Sequence, residues 1–568
     1  MKLNLIERIG DLNPQLLREL KGRLKTRNIA IAAGISLLGQ LLLLMSFYGQ
    51  LPTEKSYPGT IANRYCTGKE QYYQVYECFQ DFAGNFVIKW QVWWLDVFVW
   101  LSLFAIFGLL VIGTYMVVAD LAQEDRRGTL NFIRLSPQST QSILGGKLLG
   151  SPVLLYTVAA LAVPLHLWTG ISGGISLGLI LTFYGVIAVS CLLFYSGALL
   201  FGLFSSAFSG FQPWLASGGV FIFLWIANFK PITHDPIDLL NLLSPCWMLW
   251  HLISGISGDY QSPFSYLAEE IRTWQWFSMP LGSNIISAVA FTVLNCGLLT
   301  YWIWQSLMRR FPNPTKTMLS KGQSYLLTAC FETVILGLAI QKMPQWQSFP
   351  NWLSYNLNSL LVFNLLLFLC LIVALSPHRQ ALQDWARYRR EKAAHRKLFW
   401  NPSLMKDLIW GEKSPNVMAI VLNSIVACLP LICWIIVWPQ DAEKGEALFS
   451  LALMVSTIAI YGAIAQLMLF MRTQKQAVWA AGALGAAIVL PPLVFAVLSI
   501  GSAKPPFALW LFSAFPWVAI MENTAITTVC MAILGQFAIL ALLNMRLSRQ
   551  LQQAGESATK ALLADRRA

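Results

Sequence analysis

The chain has 568 residues, 56% of them hydrophobic and only 12% charged, with a mean hydropathy of +0.57. A soluble domain is about one-quarter charged and under half apolar, so this composition excludes a cytosolic enzyme, a disordered scaffold and a secreted disulfide domain. The net charge of +13 must therefore be read against a membrane.

In chain order, apolar runs at 29–48, 95–119, 148–168, 174–205, 212–228, 284–307, 325–340, 357–376, 416–437, 447–471, 478–500 and 524–545 are long enough to cross a hydrocarbon core of about 30 Å. Spans in lipid must satisfy their own backbone hydrogen bonds, so all twelve are expected to be helices. The fold class expected is all-α, polytopic and integral to the membrane. The first run follows a basic stretch but is too long for a signal peptide and lacks a small-x-small cleavage site, so it reads as a retained span.

Charge orients the array. With the N-terminus cytosolic, the inside segments hold 31 of the 40 Lys and Arg residues and the outside segments hold 9. That asymmetry follows the positive-inside rule and places both termini in the cytosol. The basic residues are strung along several short loops with no module to present them, so nucleic acid is not an expected partner.

Ten cysteines are present. Eight lie in or beside spans, where they are expected to pack as small apolar groups. Cys66 and Cys78 share the outside loop 49–94 and form a candidate disulfide, since that compartment permits one. No C-x-x-C or His/Cys cluster suggests a metal.

Two segments that run into spans match each other. Residues 13–29 read NPQLLRELKGRLKTRNI and residues 401–417 read NPSLMKDLIWGEKSPNV. Asn before Pro is a helix-start signal, and Leu16, Leu17, Leu20 and Leu24 fall on one face with basic residues opposite. This predicts an amphipathic helix at the cytosolic membrane surface. A fainter echo pairs LLNLLSPCWMLWH (239–251) with LWLFSAFPWVAIM (509–521). The chain then divides into an N-terminal helix (1–28), a six-span half (29–310), a connecting hairpin with a basic linker (311–400) and a shortened four-span half (401–568). Duplicated halves are common among transporters. If the duplication is real, 29–48 corresponds to 416–437 and 95–119 to 447–471.

Between the second and third spans lies DLAQEDRRGTLNFIRLSPQSTQSILGGKLLGSP (120–152). Asp120, Glu124 and Asp125 are read as acids at a helix N-terminus, where the dipole favours them. Leu130, Ile133, Arg134 and then Ser136-Pro137 would close a short helix, and Ser142 to Lys147 would return the chain to the membrane.

This loop resembles the first cytosolic loop of ABC-2-type transporter permeases, of bacterial type. The matching positions are Glu124, Asp125, Arg126, Gly128, Thr129, Leu130, Leu135, Ser136, Pro137, Gly146 and Lys147; the family often has an acid where Asn131 stands. NPQLLREL before the first span is similar to the same family. The likeness covers residues 1–310 well and 401–568 in part, and the counterpart loop 471–479 lacks the Gly-Thr-Leu. The resemblance implies the membrane subunit of an ABC exporter in a plasma membrane, the bacterial inner membrane, with Glu124 to Pro137 coupling it to a separate ATPase subunit present in two copies. No G-x-x-x-x-G-K-[ST] occurs, so the chain cannot cradle ATP phosphates itself. ATP and Mg would reside on the partner, and the chain would be no enzyme and hold no cofactor.

Glu332 is the one acid deep in an expected span. A carboxylate there is costly and marks a candidate functional residue, or one hydrogen-bonded in a helix interface. Asp96 and Glu522 lie near the outer boundary. Trp90, Trp93, Trp94, Trp247, Trp250, Trp274, Trp276 and Trp352 are expected to anchor outside ends. Two other classes remain: a lipid-processing membrane enzyme, which should cluster His, Asp or Glu at one face, and a structural subunit, which needs no docking helix. Lipid, drug, peptide and glycan all fit as cargo.

Overall fold

A computed structural model describes residues 10–52, 62–72, 75–205, 210–230, 232–254, 271–341, 352–393, 402–439, 443–471, 473, 476–500, 507–521 and 525–554. Asn401, Arg472, Glu522 and the tail 555–568 lie outside them. Helix dominates, and the largest sheet among the described residues is a three-stranded antiparallel patch. Ten described helices are long and apolar enough to cross a membrane, and the chain is an all-α polytopic membrane protein. It forms two compact units.

Unit 1 runs through most of residues 1–312. It opens with α1 (Pro14–Arg23) and α2 (Thr26–Tyr48). Asn13 caps α1, its Oδ1 accepting from Leu16 N at 2.9 Å, and Pro14 supplies the helix-ready φ at the start. The face that α1 turns into the protein is the polar one: Gln15 and Glu19 are buried while Leu24 is exposed. Leu16, Leu17 and Leu20 of the leucine stripe are half-buried. α2 buries only Ala32, Ser36 and Phe47.

The loop that follows carries β1 (Ala62–Asn63), β2 (Glu70–Tyr72) and β3 (Val75–Glu77), in the order β1-β3-β2. A disulfide joins Cys66 to Cys78. Asp96 anchors this loop, accepting from Arg64 Nη2 at 3.0 Å and from the Tyr65 hydroxyl at 3.1 Å.

α3 (Trp90–Arg126) is continuous over 37 residues, longer than the expected 95–119. Its helix widens into a π turn at Gly108–Ile112. A π turn frees backbone groups that need an outside partner, and the Tyr195 hydroxyl supplies one by donating to Leu109 O at 2.7 Å. Gly113 makes room, since a Cβ there would collide with the Tyr195 ring.

The short α4 (Thr129–Arg134) and α5 (Thr140–Gly150) lead to α6 (Val153–Ser172), α7 (Leu177–Phe204) and α8 (Gln212–Phe229). Then come α9 (Asp238–Leu243), α10 (Cys246–Ser254) and α11 (Ile285–Arg310). α2 and α3 flank α6, while α7 packs on α3 and α11.

Unit 2 takes most of residues 313–568. It comprises α12 (Lys321–Ala339), α13 (Trp352–Leu375), α14 (Arg379–Ala393), α15 (Pro402–Trp410), α16 (Val417–Val437), α17 (Lys444–Leu469), α18 (Gln476–Ser499), α19 (Val518–Met521) and α20 (Ile526–Ala554). α17 is central, touching α13, α16, α18 and α20. α18 buries Ala480 alone. The expected spans 212–228 and 325–340 appear as α8 and α12, of 18 and 19 residues; neither is among the ten candidates.

The tryptophans depart from expectation. Trp93, Trp247, Trp250, Trp274 and Trp352 are buried in the protein, while Trp90 is exposed. Trp93 Nε1 donates to Phe47 O at 3.0 Å and Trp274 Nε1 to Asp238 Oδ2 at 3.2 Å, so protein rather than lipid headgroups satisfies these two indoles.

The disulfide closes a loop of 12 residues and should stabilise it by about 3 kcal/mol. Non-reducing peptide mass spectrometry should recover a Cys66–Cys78 linked pair. Cys78→Ser should then expose the loop to proteolysis without preventing membrane insertion.

Candidate coupling site

The loop 120–150 and α1 form one block of unit 1. Its centre is Lys147, whose side chain is fully buried. The ammonium lies 2.8 Å from Asp120 Oδ2, 2.6 Å from Glu124 Oε2 and 3.6 Å from Glu19 Oε1. Arg23 pairs with Asp120 and, at 3.2 Å, with Glu19; Arg18 pairs with Glu124 at 2.9 Å. Three positive and three negative side chains thus close a neutral cluster.

Carboxylate oxygens of Glu19, Asp120 and Glu124 lie within 4.8 Å of one another, a spacing that would suit a metal cation. Here the Lys147 ammonium occupies that role. Burial works against its charge, but Asp120 and Glu124 outweigh burial and hold its pKa above the ordinary lysine value. The acids do not sit at a helix N-terminus as the sequence suggested. They lie at the C-terminal end of α3, where the dipole disfavours them, and the basic side chains of α1 and α5 offset that cost.

Two glycines make the cluster possible. A Cβ at Gly146 would lie 2.8 Å from Asn13 Oδ1 and Leu16 N, and one at Gly150 would lie 2.5 Å from Glu19 Cβ. Their absence lets α1 and α5 meet backbone to backbone. Asn13 Nδ2 adds a bond to Ser142 O at 2.8 Å.

Beyond the cluster the chain turns at Gly128, which adopts φ +70, a region that costs other residues about 1–2 kcal/mol. Thr129 Oγ1 donates to Glu124 O at 3.2 Å and Ser136 Oγ to Ile133 O at 2.7 Å, closing both ends of α4. Leu130 and Ile133 sink into a core with Val118, Leu144, Tyr195 and Phe311. Asp125, Arg126, Gly128 and Pro137 are exposed. Phe132 and Leu135 are 77% and 83% exposed.

The residues singled out from sequence therefore split. Glu124 and Leu130 build the base; Asp125, Arg126 and Leu135 face outward. Glu19 and Arg23 were missed and Asp120 was read only as a dipole acid, because nothing local in sequence shows that they meet. The i, i+4, i+8 spacing of Gln15, Glu19 and Arg23 on α1, with Gly146 and Gly150 opposite, was the readable signal.

Unit 2 braces its own amphipathic helix differently. Lys321 Nζ donates to Leu408 O at 2.7 Å, Ser414 Oγ at 2.6 Å and Pro415 O at 3.1 Å. Arg389 of α14 pairs with Asp407. Lys321 precedes the expected span 325–340, and burial outweighs the attraction of Asp407 to bring its pKa down to about 8. α2 lies chiefly along α6, whereas α16 lies along α12 and α17. The fainter echo keeps a local likeness: Ser244 Oγ accepts from Cys246 N and Ser513 Oγ from Phe515 N, each between two short helical stretches. Of the counterpart loop, 472, 474 and 475 lie outside the described residues.

Glu332 is 2% exposed, on the α12 face shared with Ser324 and Thr328, which bond Asn423 of α16 at 3.0 and 2.8 Å. Asn364 of α13 is its polar neighbour. No family model, curated protein or solved structure matches the chain.

Lys147→Met would leave three carboxylates against two arginines, an uncompensated charge in a largely buried site, and should cost about 3–5 kcal/mol. Adding Glu124→Gln should recover part of the loss in thermal unfolding; no recovery would remove the cluster as the cause. The two lysines also predict opposite pH responses. Lys147, with its pKa raised by ionised Asp120 and Glu124, contributes fully from neutral pH up to 10.5 and loses that contribution as pH rises through its folded value. Lys321, with its pKa lowered, binds fewer protons folded than unfolded, so its contribution rises between about 8 and 10.5. The melting temperature of the wild type relative to Lys321→Met should accordingly rise across that window.

Proposed function

We propose that the chain is the transmembrane permease subunit of an ATP-driven transporter of the ABC exporter type. Residues 120–147 dock a separate ATPase subunit, two copies of which serve the complex. ATP and Mg bind on that partner, and this chain contributes no catalytic residue. The N- and C-termini and the docking loop face the cytosol, as the 31 to 9 division of basic residues supports.

The observation that carries this reading is the contrast between a rigid base and an apolar tip. Phe132 and Leu135 stand exposed on a helix whose other face is locked into the protein core. Asp125, Arg126 and Arg127 surround the tip, also exposed. An aromatic and a leucine rimmed by charge are the composition of an interface centre. The charged cluster beneath has no use in a loop that is merely solvated. A push on the tip would be borne by α1, α3 and α5 together.

In this reading ATP-driven closure of the partner pushes the tip and alternates access along a path through the membrane. The twelve-span layout of two unequal halves belongs to the same proposal.

Replacing Phe132 and Leu135 by Asp should remove ATPase co-purification, each hot-spot side chain being worth about 2 kcal/mol or more. Gly128→Val should weaken it through strain in the turn, while Asn131→Ala should leave it intact. Membrane insertion should be unchanged in all three. Full co-purification and transport with the double Asp variant would overturn the reading.

A further inference from the structure

Within unit 1, α2, α3, α6 and α7 enclose a groove of about 1250 Å³, open along its flank. Its depth comes from small residues: Gly39, Gly108, Ala159 and Ala162 leave space that larger side chains would fill. Ile35, Leu42 and Phe104 form its rim and are more than half exposed. Residues from Asn28 to Ser46 of α2 line it, a rise of about 27 Å, nearly the full hydrocarbon thickness. No Asp, Glu, Lys or Arg is among the lining residues.

The wall nevertheless carries one hydrogen-bonding patch. His166 meets Ser102 Oγ through Nε2 at 2.8 Å and the Tyr184 hydroxyl through Nδ1 at 2.8 Å. Ser102 donates onward to Phe98 O at 2.7 Å. On α2, Gln40 Nε2 donates to Ser36 Oγ at 2.9 Å and to Leu161 O of α6 at 3.4 Å. Gln40 and His166 stand 14 and 13 residues into their helices, about 20 Å from the end where both begin. Both are therefore inside the apolar layer. Ser102 is not primed as a nucleophile, because its hydroxyl faces a backbone carbonyl and no carboxylate orients His166.

From this we propose that the groove binds an uncharged, hydroxyl-bearing long-chain lipid of the diacylglycerol type. An apolar groove open to the bilayer takes acyl chains. A charged headgroup drawn along it would lose hydration with no countercharge in the wall, at a cost of several kcal/mol. A neutral hydroxyl can instead donate to the Tyr184 hydroxyl oxygen, whose own proton goes to His166 Nδ1, or to Gln40 Oε1, at a depth where lipid offers no acceptor. This site goes beyond the transport reading and does not depend on the ATPase.

The experiment uses the full chain in phosphatidylcholine nanodiscs with a photoactivatable diazirine-tailed diacylglycerol, or a phosphatidate with the same tail, and maps labelled peptides by mass spectrometry. α18, which buries only Ala480, reports annular lipid. Diacylglycerol should label 28–46 and 156–166 about tenfold above α18, a difference of 1.4 kcal/mol, and phosphatidate should not. Ala159→Trp, which fills the groove, should reduce that labelling to the α18 level. Leu42→Trp at the rim gives a second test should the first variant fail to fold. Tyr184→Phe, which removes the accepting oxygen, should bring diacylglycerol labelling of 28–46 and 156–166 down toward the α18 level. Equal labelling of groove and α18, or equal labelling by both lipids, would overturn the proposal and leave the docking reading untouched.

Discussion

The buried ammonium of Lys147 holds unit 1 together at the end where α1 lies. Remove it in thought, and three carboxylates within 4.8 Å of one another would have to share a site away from water. Arg18 and Arg23 would still pair with them, but one negative charge would be left uncompensated, which costs several kcal/mol in a largely buried site. The cluster thus binds the N-terminal helix, the end of α3 and α5 into one block. Close approach is its precondition: Gly146 and Gly150 let the helix backbones touch, and only then are the acids within reach.

That block explains why α4 can carry an exposed aromatic. A six-residue helix has almost no stability alone. α4 stands because Gly128 permits the turn into it, Thr129 and Ser136 close its ends, and Leu130 and Ile133 join the core. Phe132 and Leu135 are left facing outward as a fixed feature. In the proposed transporter, force applied there meets a rigid base.

The same base leads to the groove. α1 passes into α2 through Leu24 and Lys25 alone, and α2 buries only Ala32, Ser36 and Phe47. Few buried contacts mark the elements that open most readily. The salt-bridged block and the groove wall are therefore adjacent in the chain. Unit 2 pins α15 by neutral acceptors around Lys321 where unit 1 uses carboxylates, so the two amphipathic helices are held by different chemistry despite their similar sequences.

Much of this was readable in the residues. Runs of about 20 apolar residues can only be helices in lipid, so the class and the places of most spans follow from composition. Asn13-Pro14 marks a helix start by backbone stereochemistry, and Gly128 marks a turn by its freedom at positive φ; these are local properties. What lies across the fold was not readable. Glu19, Asp120, Glu124 and Lys147 are separated by up to 128 residues, and a charge shows its partner only when the chain has brought the two together. The leucines of α1 were plain, yet that its polar face would turn inward depended on the basic and acidic groups waiting on α3 and α5. The tryptophans looked like interfacial anchors because an aromatic flanked by polar residues reads the same whether lipid or protein covers it. Burial is a property of the assembled structure, and so are the salt-bridge cluster, the exposure of Phe132 and the groove beside His166.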